Sequence, residues 1–339
     1  MSGATVHRRG AVRRLGRGAW FLIAGCSAAS AAACGEGRPA VGADTVSRVA
    51  AGATNRMAAV VNTRDVHNFV AAMRQMTPGD SECRWLAPYF RNGSDGLSAY
   101  DLHFGVHQAQ LCAAVRAMPA RYARIDSTLA STDSAAAMTD SLFKAFGRLY
   151  TGARSVPVYF VVGTGISGGT TVGLLHPVVL VAAERQWSTA GTASTLVHEF
   201  IHAQQNSPVL GALTGGPPFL RGSVLRHSIK EGSADFLTDL LTGQVRHNAY
   251  AESHEGELWA AFRRDMHGSD YSRWLYNGQH PARGDLPPDL GYWMGYRITK
   301  AFYDKASDKR GAIRDILNIR NFDDFLKRSG YDGPPRTPP

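Results

Sequence analysis

The segment that most constrains this 339-residue chain is STLVHEFIHAQQNS, residues 194–207. It sets His198, Glu199 and His202 in one apolar frame. The two histidines are four apart, so a helix places both imidazoles on one face. Neutral imidazole nitrogen binds zinc well, at ~2.0–2.1 Å. Glu199 projects to the side, close to where a water on such an ion would sit. The pattern HExxH thus offers two ligands and a general base within little more than one turn. The competing reading is two core histidines and a surface acid, and five residues alone do not choose between them.

A catalytic zinc takes three protein ligands and keeps a fourth position open. The extended metzincin form of the motif needs Gly at 205 and His at 208. This chain has Gln205 and Pro208 there, and Pro208 marks a point by which the helix has ended. The gluzincin form takes its third ligand from a Glu on a following helix. SIKEGSADFLTDLL supplies Glu231, in a stretch striped by Ile229, Phe236, Leu237 and Leu240. Asp235 follows one turn on, at the offset from which a gluzincin carboxylate accepts the second imidazole proton of a ligand histidine.

Two structural readings compete for Glu231. Ser228 and Glu231 have capping-box spacing, and Glu231, Asp235 and Asp239 also read as a solvated acidic stripe. Gly232 and Ala234 favour the ligand role, because they add little bulk where a second helix would pack. His227 is the rival third ligand. Farther on, GYWMGYRITKAFY carries Tyr292, Tyr296 and Arg297, with Gly291 and Gly295 spaced for close helix approach. Tyr296 or Tyr292 is the candidate donor to a developing oxyanion, and core filling is the alternative for each. His247, His254 and His280 have no spacing that links them to this set.

Charge and cysteines speak to location. The formal charge is +9, but Arg8, Arg9, Arg13, Arg14 and Arg17 precede AWFLIAGCSAASAAAC with no acid among residues 1–34. That is the make-up of a secretory signal, with an uncleaved membrane anchor as the alternative. IAGC at 23–26 and AAAC at 31–34 are both candidate lipidation boxes, making Cys34 or Cys26 the expected lipid-bearing residue. Residues 35–43 form a small-residue tether. Without the signal the protein is only mildly basic and shows no basic block interleaved with aromatics, so nucleic-acid binding is not expected. Cys83 and Cys112 then remain as an even pair, and export makes a disulfide between them reasonable. Two buried thiols are the alternative.

Along the chain, residues 44–150 read as helical. NTRDVHNFVAAMRQM has a cap at Asn62 or Thr63 and a stripe of Val66, Phe69, Val70 and Met73. STLASTDSAAAMTDSLFKAFGRLY reads as a polar break followed by a helix. VPVYFVVG and HPVVLVAAE read as strands. The glycine-rich TGISGGTTVG between them lacks a phosphate-loop pattern and reads as a hairpin connection. Helices return at 189–206, about 223–242, 247–267 and 290–306. Few strands among many helices predict a helix-rich α+β domain, with 44–150 and 151–332 as parts of one continuous unit.

The ordered segments PYFRNGSDGLSAYDL, VYFVVG, GGTT, HEFIHAQQ, EGSADFLTDLLTG, ELWAAF, WLYNG, GYWMGYRI and FLKRSGY resemble a bacterial family of predicted zinc-dependent proteases related to gliding-motility lipoproteins. The resemblance spans most of residues 60–332. It implies His198, His202 and Glu231 as Zn2+ ligands and Glu199 as catalyst. It further implies a gluzincin-like core, with a small β-sheet beside the HExxH helix and an edge strand able to align peptide. The function expected from these readings is an exported, lipid-anchored zinc peptidase acting on peptides or proteins at a bacterial membrane. The alternative is a non-catalytic envelope lipoprotein with structural or vestigial zinc.

Overall fold

A computed structural model describes residues 60–77, 79–173, 176–206, 222–244, 247–278 and 287–334. The signal, the tether, Cys26, Cys34, Pro208 and His280 lie outside the described residues. Among those described, no helix is long and apolar enough to cross a membrane.

Two apolar runs, β2 (Val158–Val161) and β4 (Val178–Ala182), form the centre of a four-stranded sheet. Its order is β1 (Val61–Asn62), β2, β4 and β3 (Gly169–Val172). The strands β1, β2 and β4 are parallel, and β3 runs antiparallel to β4 along the edge. The expected hairpin between the two apolar runs is therefore wrong. Val158, Phe160, Val161 and Val179–Ala182 are buried, and such runs, covered on both faces, pair in parallel at the middle of a sheet. The strand that pairs antiparallel with β4 is instead GTTV, cut from the glycine-rich segment. The turn out of it passes Gly173 at φ +87°, where a Cβ would lie 2.5 Å from the His176 carbonyl.

Helices cover the sheet, and the fold is helix-rich α+β. α1 (Arg64–Met73), α2 (Ala87–Arg91), α3 (Asp95–Phe104) and α4 (Gln108–Ala117) lead to α5 (Pro119–Leu149). No break interrupts α5: buried Ile125, Thr132, Ala135, Thr139, Phe143 and Phe146 carry one packed face through the polar stretch, so tertiary burial overrides local polarity. Cys83 and Cys112 are joined by a disulfide, with Cα atoms 5.8 Å apart. It ties the loop before α2 to α4.

The second half holds α6 (Thr189–Gln204), α7 (Val224–Thr242), α8 (Ala249–Ser253), α9 (Glu255–Asp265), α10 (Leu290–Lys305), α11 (Lys309–Leu317) and α12 (Phe322–Ser329). The helix expected over 247–267 is split at His254. One apolar cluster extends from Val66 to Tyr331, so residues from both halves share a core. The tightest contact joins α7 and α10. A Cβ on Gly295 would lie 1.7 Å from the Ser228 carbonyl oxygen, and one on Gly232 would lie 2.1 Å from the Tyr296 nitrogen. Small residues at 232, 291 and 295 let the two backbones touch.

Candidate metal centre

α6 starts at Ser188, whose hydroxyl accepts from the Gly191 amide, a normal helix cap. Leu196, Val197, Phe200 and Ile201 are fully buried, and Phe200 stacks on Phe143 of α5 at 3.7 Å between ring centroids. That packing fixes the rotation of α6 and sends His198 and His202 toward α7. α6 ends at Gln204, short of Pro208.

α7 is capped by Ser223, which accepts from Arg226 N. Glu231 therefore sits in its interior, and the capping-box reading of Ser228 and Glu231 does not hold. Nor is there a solvated stripe: Glu231, Asp235 and Asp239 are 9%, 2% and 8% exposed. They turn inward because α7 is wedged between α6 and α10.

Three donor atoms meet at one point. His198 Nε2 and His202 Nε2 are 3.0 Å apart, and Glu231 Oε2 lies 3.0 Å from the second and 3.4 Å from the first. Bonds of ~2.0–2.1 Å at the tetrahedral angle would set neighbouring donors about 3.3 Å apart. The triangle fits one face of such a coordination shell, and His198, His202 and Glu231 form a group able to hold a metal ion. His227 does not join it; its ring faces Tyr271 and Tyr276 instead.

The outer nitrogens of both histidines are held. His198 Nδ1 donates to Asp235 Oδ1 at 2.8 Å, as the offset predicted. His202 Nδ1 donates to Gln205 Oε1 at 2.8 Å. The Gln205 amide nitrogen donates to Lys230 O and Ser233 Oγ on α7, so its oxygen must face the histidine. Both Nε2 atoms are thereby aimed inward. Glu231 lies at this point, Asp235 backs His198 on its outer side, and the charge of Glu199 also acts on His198. Burial pulls the His198 imidazole down, but Asp235, followed by Glu231 and Glu199, carries it up to about 10. Burial alone would raise Glu231; His202 and His198 hold it well below the usual carboxylate range. The field favours a positive charge at the centre.

Glu199, next to His198 on α6, faces the sheet edge. Thr171 Oγ1 lies 2.6 Å from the Glu199 carbonyl oxygen and 3.0 Å from its Oε2, so one hydroxyl proton serves both oxygens. β3 passes so close that a Cβ on Gly169 would lie 2.7 Å from Glu199 Cγ.

Of the two tyrosines proposed from sequence, Tyr292 approaches the centre, its ring 6.4 Å from that of His198 and nearly parallel to it. Burial, then the charge of Glu231, push its phenol well above the ordinary range, so it keeps its proton. Tyr296 is directed elsewhere: its hydroxyl bonds Asp239 and its ring meets Phe236 edge-on. The nearest tyrosine hydroxyl to a ligand belongs to Tyr276, 3.1 Å from Glu231 Oε1. Sequence reasoning missed Tyr276, Thr171 and Gln205 as site residues. The segments WLYNG, GGTT and HAQQ that contain them were visible, but nothing in their spacing ties them to HExxH.

No protein-family model, curated protein or solved structure matches this chain.

Proposed function

We propose that the chain is a zinc-dependent peptidase of gluzincin-like build, exported and anchored by an N-terminal lipid to a bacterial membrane. The observation that carries the catalytic part is the placement of Glu199. It follows His198 on α6 without belonging to the His198–His202–Glu231 triangle, its charge acts on the His198 imidazole, and Thr171 bonds its carboxylate. A site built only to bind metal has no use for a further carboxylate beside the ligands. This weighs against a purely structural or vestigial zinc.

Zinc held there would supply a Lewis acid that polarises a carbonyl and acidifies water. The chain's own residues do the rest. Asp235 and Gln205 keep both imidazoles in the tautomer with a free Nε2. Glu199 takes the proton of the attacking water and passes it to the leaving amine. The half-buried edge strand β3, with its outer side unpaired among the described strands, lies where an extended peptide could add by main-chain hydrogen bonds. Tyr292 is the candidate oxyanion donor.

Export is supported by the arginine-rich, acid-free start of the chain and by the Cys83–Cys112 disulfide, a bond that oxidising compartments favour. Metal analysis of the purified chain, paired with a peptide-library digest by wild type and Glu199→Gln, tests the reading. One zinc per chain in both proteins is expected. Cleavage should be about 10²–10⁴-fold slower in the variant. Equal cleavage by the two would refute Glu199 as the base.

A further inference from the structure

Two residues ahead of α10, Tyr276 and Asp289, lie in the left-handed backbone region, both at φ +59°. Bulky side chains rarely adopt this conformation, and it persists only where the surroundings hold it. Here a reciprocal pair of bonds does so. Asn277 N donates to Asp289 Oδ1 at 3.0 Å, and Asp289 N donates to Asn277 Oδ1 at 2.7 Å. Asn277 Nδ2 also donates to Ser272 O. Tyr276 is thus pinned to the start of α10. Its residue surface is half-exposed, yet its hydroxyl reaches the buried Glu231.

The directions of the bonds follow from proton count. Glu231 as a carboxylate can only accept, so the single Tyr276 hydroxyl proton points to Oε1, 3.1 Å away. His227 Nδ1 lies 3.0 Å from the same hydroxyl and must then be the donor. The chain runs from His227 Nδ1–H to Tyr276 Oη and from Tyr276 Oη–H to Glu231 Oε1. It ends on the carboxylate oxygen that does not face the histidine nitrogens.

We propose that Tyr276 is a positioning residue of the metal centre: its hydroxyl, oriented by His227, keeps Glu231 a one-oxygen ligand through Oε2. This rests on the metal-centre reading above and adds a reason for the strained loop. A Glu231 free to swing could offer both oxygens and fill the position that a catalytic site leaves open. His227, the rival ligand in the sequence, acquires a role one bond removed.

The test uses the purified full chain loaded with Zn2+ or, as a spectroscopic probe, Co2+. Zinc affinity is read by chelator competition and the cobalt site by its visible absorption, which is strong for four-coordinate and weak for higher-coordinate cobalt. Tyr276→Phe should lower zinc affinity about 10–100-fold and weaken the cobalt bands, with little change in Tm. His227→Ala should move both readouts the same way by less. Both readouts unchanged in Tyr276→Phe would overturn the proposal while leaving the metal centre intact. Slower peptide cleavage with both unchanged would also overturn it, since Tyr276 would then act on substrate. A wild-type chain that takes up no zinc would overturn this proposal and the metal centre together.

Discussion

Asp235 Oδ1 lies 2.8 Å from His198 Nδ1, across the interface of two helices and 37 positions along the chain. The pair fixes which imidazole nitrogen faces the centre, and Gln205 does the same for His202. Asp235→Asn can still accept the proton but removes the charge that supports His198. Zinc affinity should fall about 10–100-fold, measured by chelator competition. Gln205→Ala should weaken binding in the same direction. If Asp235→Asn binds zinc as tightly as wild type, the carboxylate has no part in holding the site.

The α7–α10 contact sets a second expectation. Adding one methyl at Gly295 collides with backbone at 1.7 Å, and backbone cannot rotate away as a side chain can. Overpacking typically costs 1–3 kcal/mol, and Gly295→Ala should reach at least about that range. A lower Tm, together with weaker zinc retention because Glu231 shifts with α7, is the expected result. Gly79→Ala serves as the control, since nothing lies within 4 Å of its added Cβ, although its φ of +88° carries a separate backbone cost. An unchanged Tm in Gly295→Ala would mean that the helices are not this close.

Glu184 gives a pH dependence. Its carboxylate accepts from Gly163 N and Gly165 N at 3.0 and 2.9 Å, yet complete burial raises its pKa above 4.5 despite those bonds. The folded state therefore holds this proton more tightly than the unfolded chain. Its contribution is full below about 4.5 and is lost as pH rises through the raised folded value. Glu184→Gln stays neutral throughout. The stability of wild type relative to Glu184→Gln should fall as pH rises from 4 to 7, read from urea midpoints. A difference that grows with pH would show that the two amides outweigh burial.

The Cys83–Cys112 bond closes a loop of 29 positions. By the chain-entropy model such a loop stabilises by about 3–4 kcal/mol. Replacing both cysteines by serine should lower the thermal midpoint without altering zinc stoichiometry, because neither cysteine belongs to the candidate metal centre. An unchanged midpoint would remove the bond from the account of stability.

Much of the centre was legible because helical spacing is local. An offset of four from His198 to His202, and of four from Glu231 to Asp235, sets which side chains share a face of each helix. The small residues at 232, 291 and 295 likewise announced a close helix pair. The sheet was less legible. Two apolar runs around a glycine-rich stretch fit a hairpin equally well as two parallel central strands, and the polar GTTV gave no apolar signal of its own. Burial on both faces, which no local pattern encodes for so short a run, settled the pairing. The polar stretch within α5 misled for the same reason.

What the sequence by itself determined is the chemistry available: two imidazoles and a carboxylate beside them on one helix, with Glu231 and Asp235 one turn apart on the next. What only the tertiary structure decided is convergence. Whether Glu231 or His227 completes the triangle depends on the rotation of α7, set by packing against α6 and α10. Whether Tyr292 or Tyr296 approaches depends on the rotation of α10 against α7. Thr171, Gln205 and Tyr276 reach the site from an edge strand, a helix end and a strained loop. Their places are fixed by contacts between residues far apart in the chain, and spacing along one segment carries no information about such contacts.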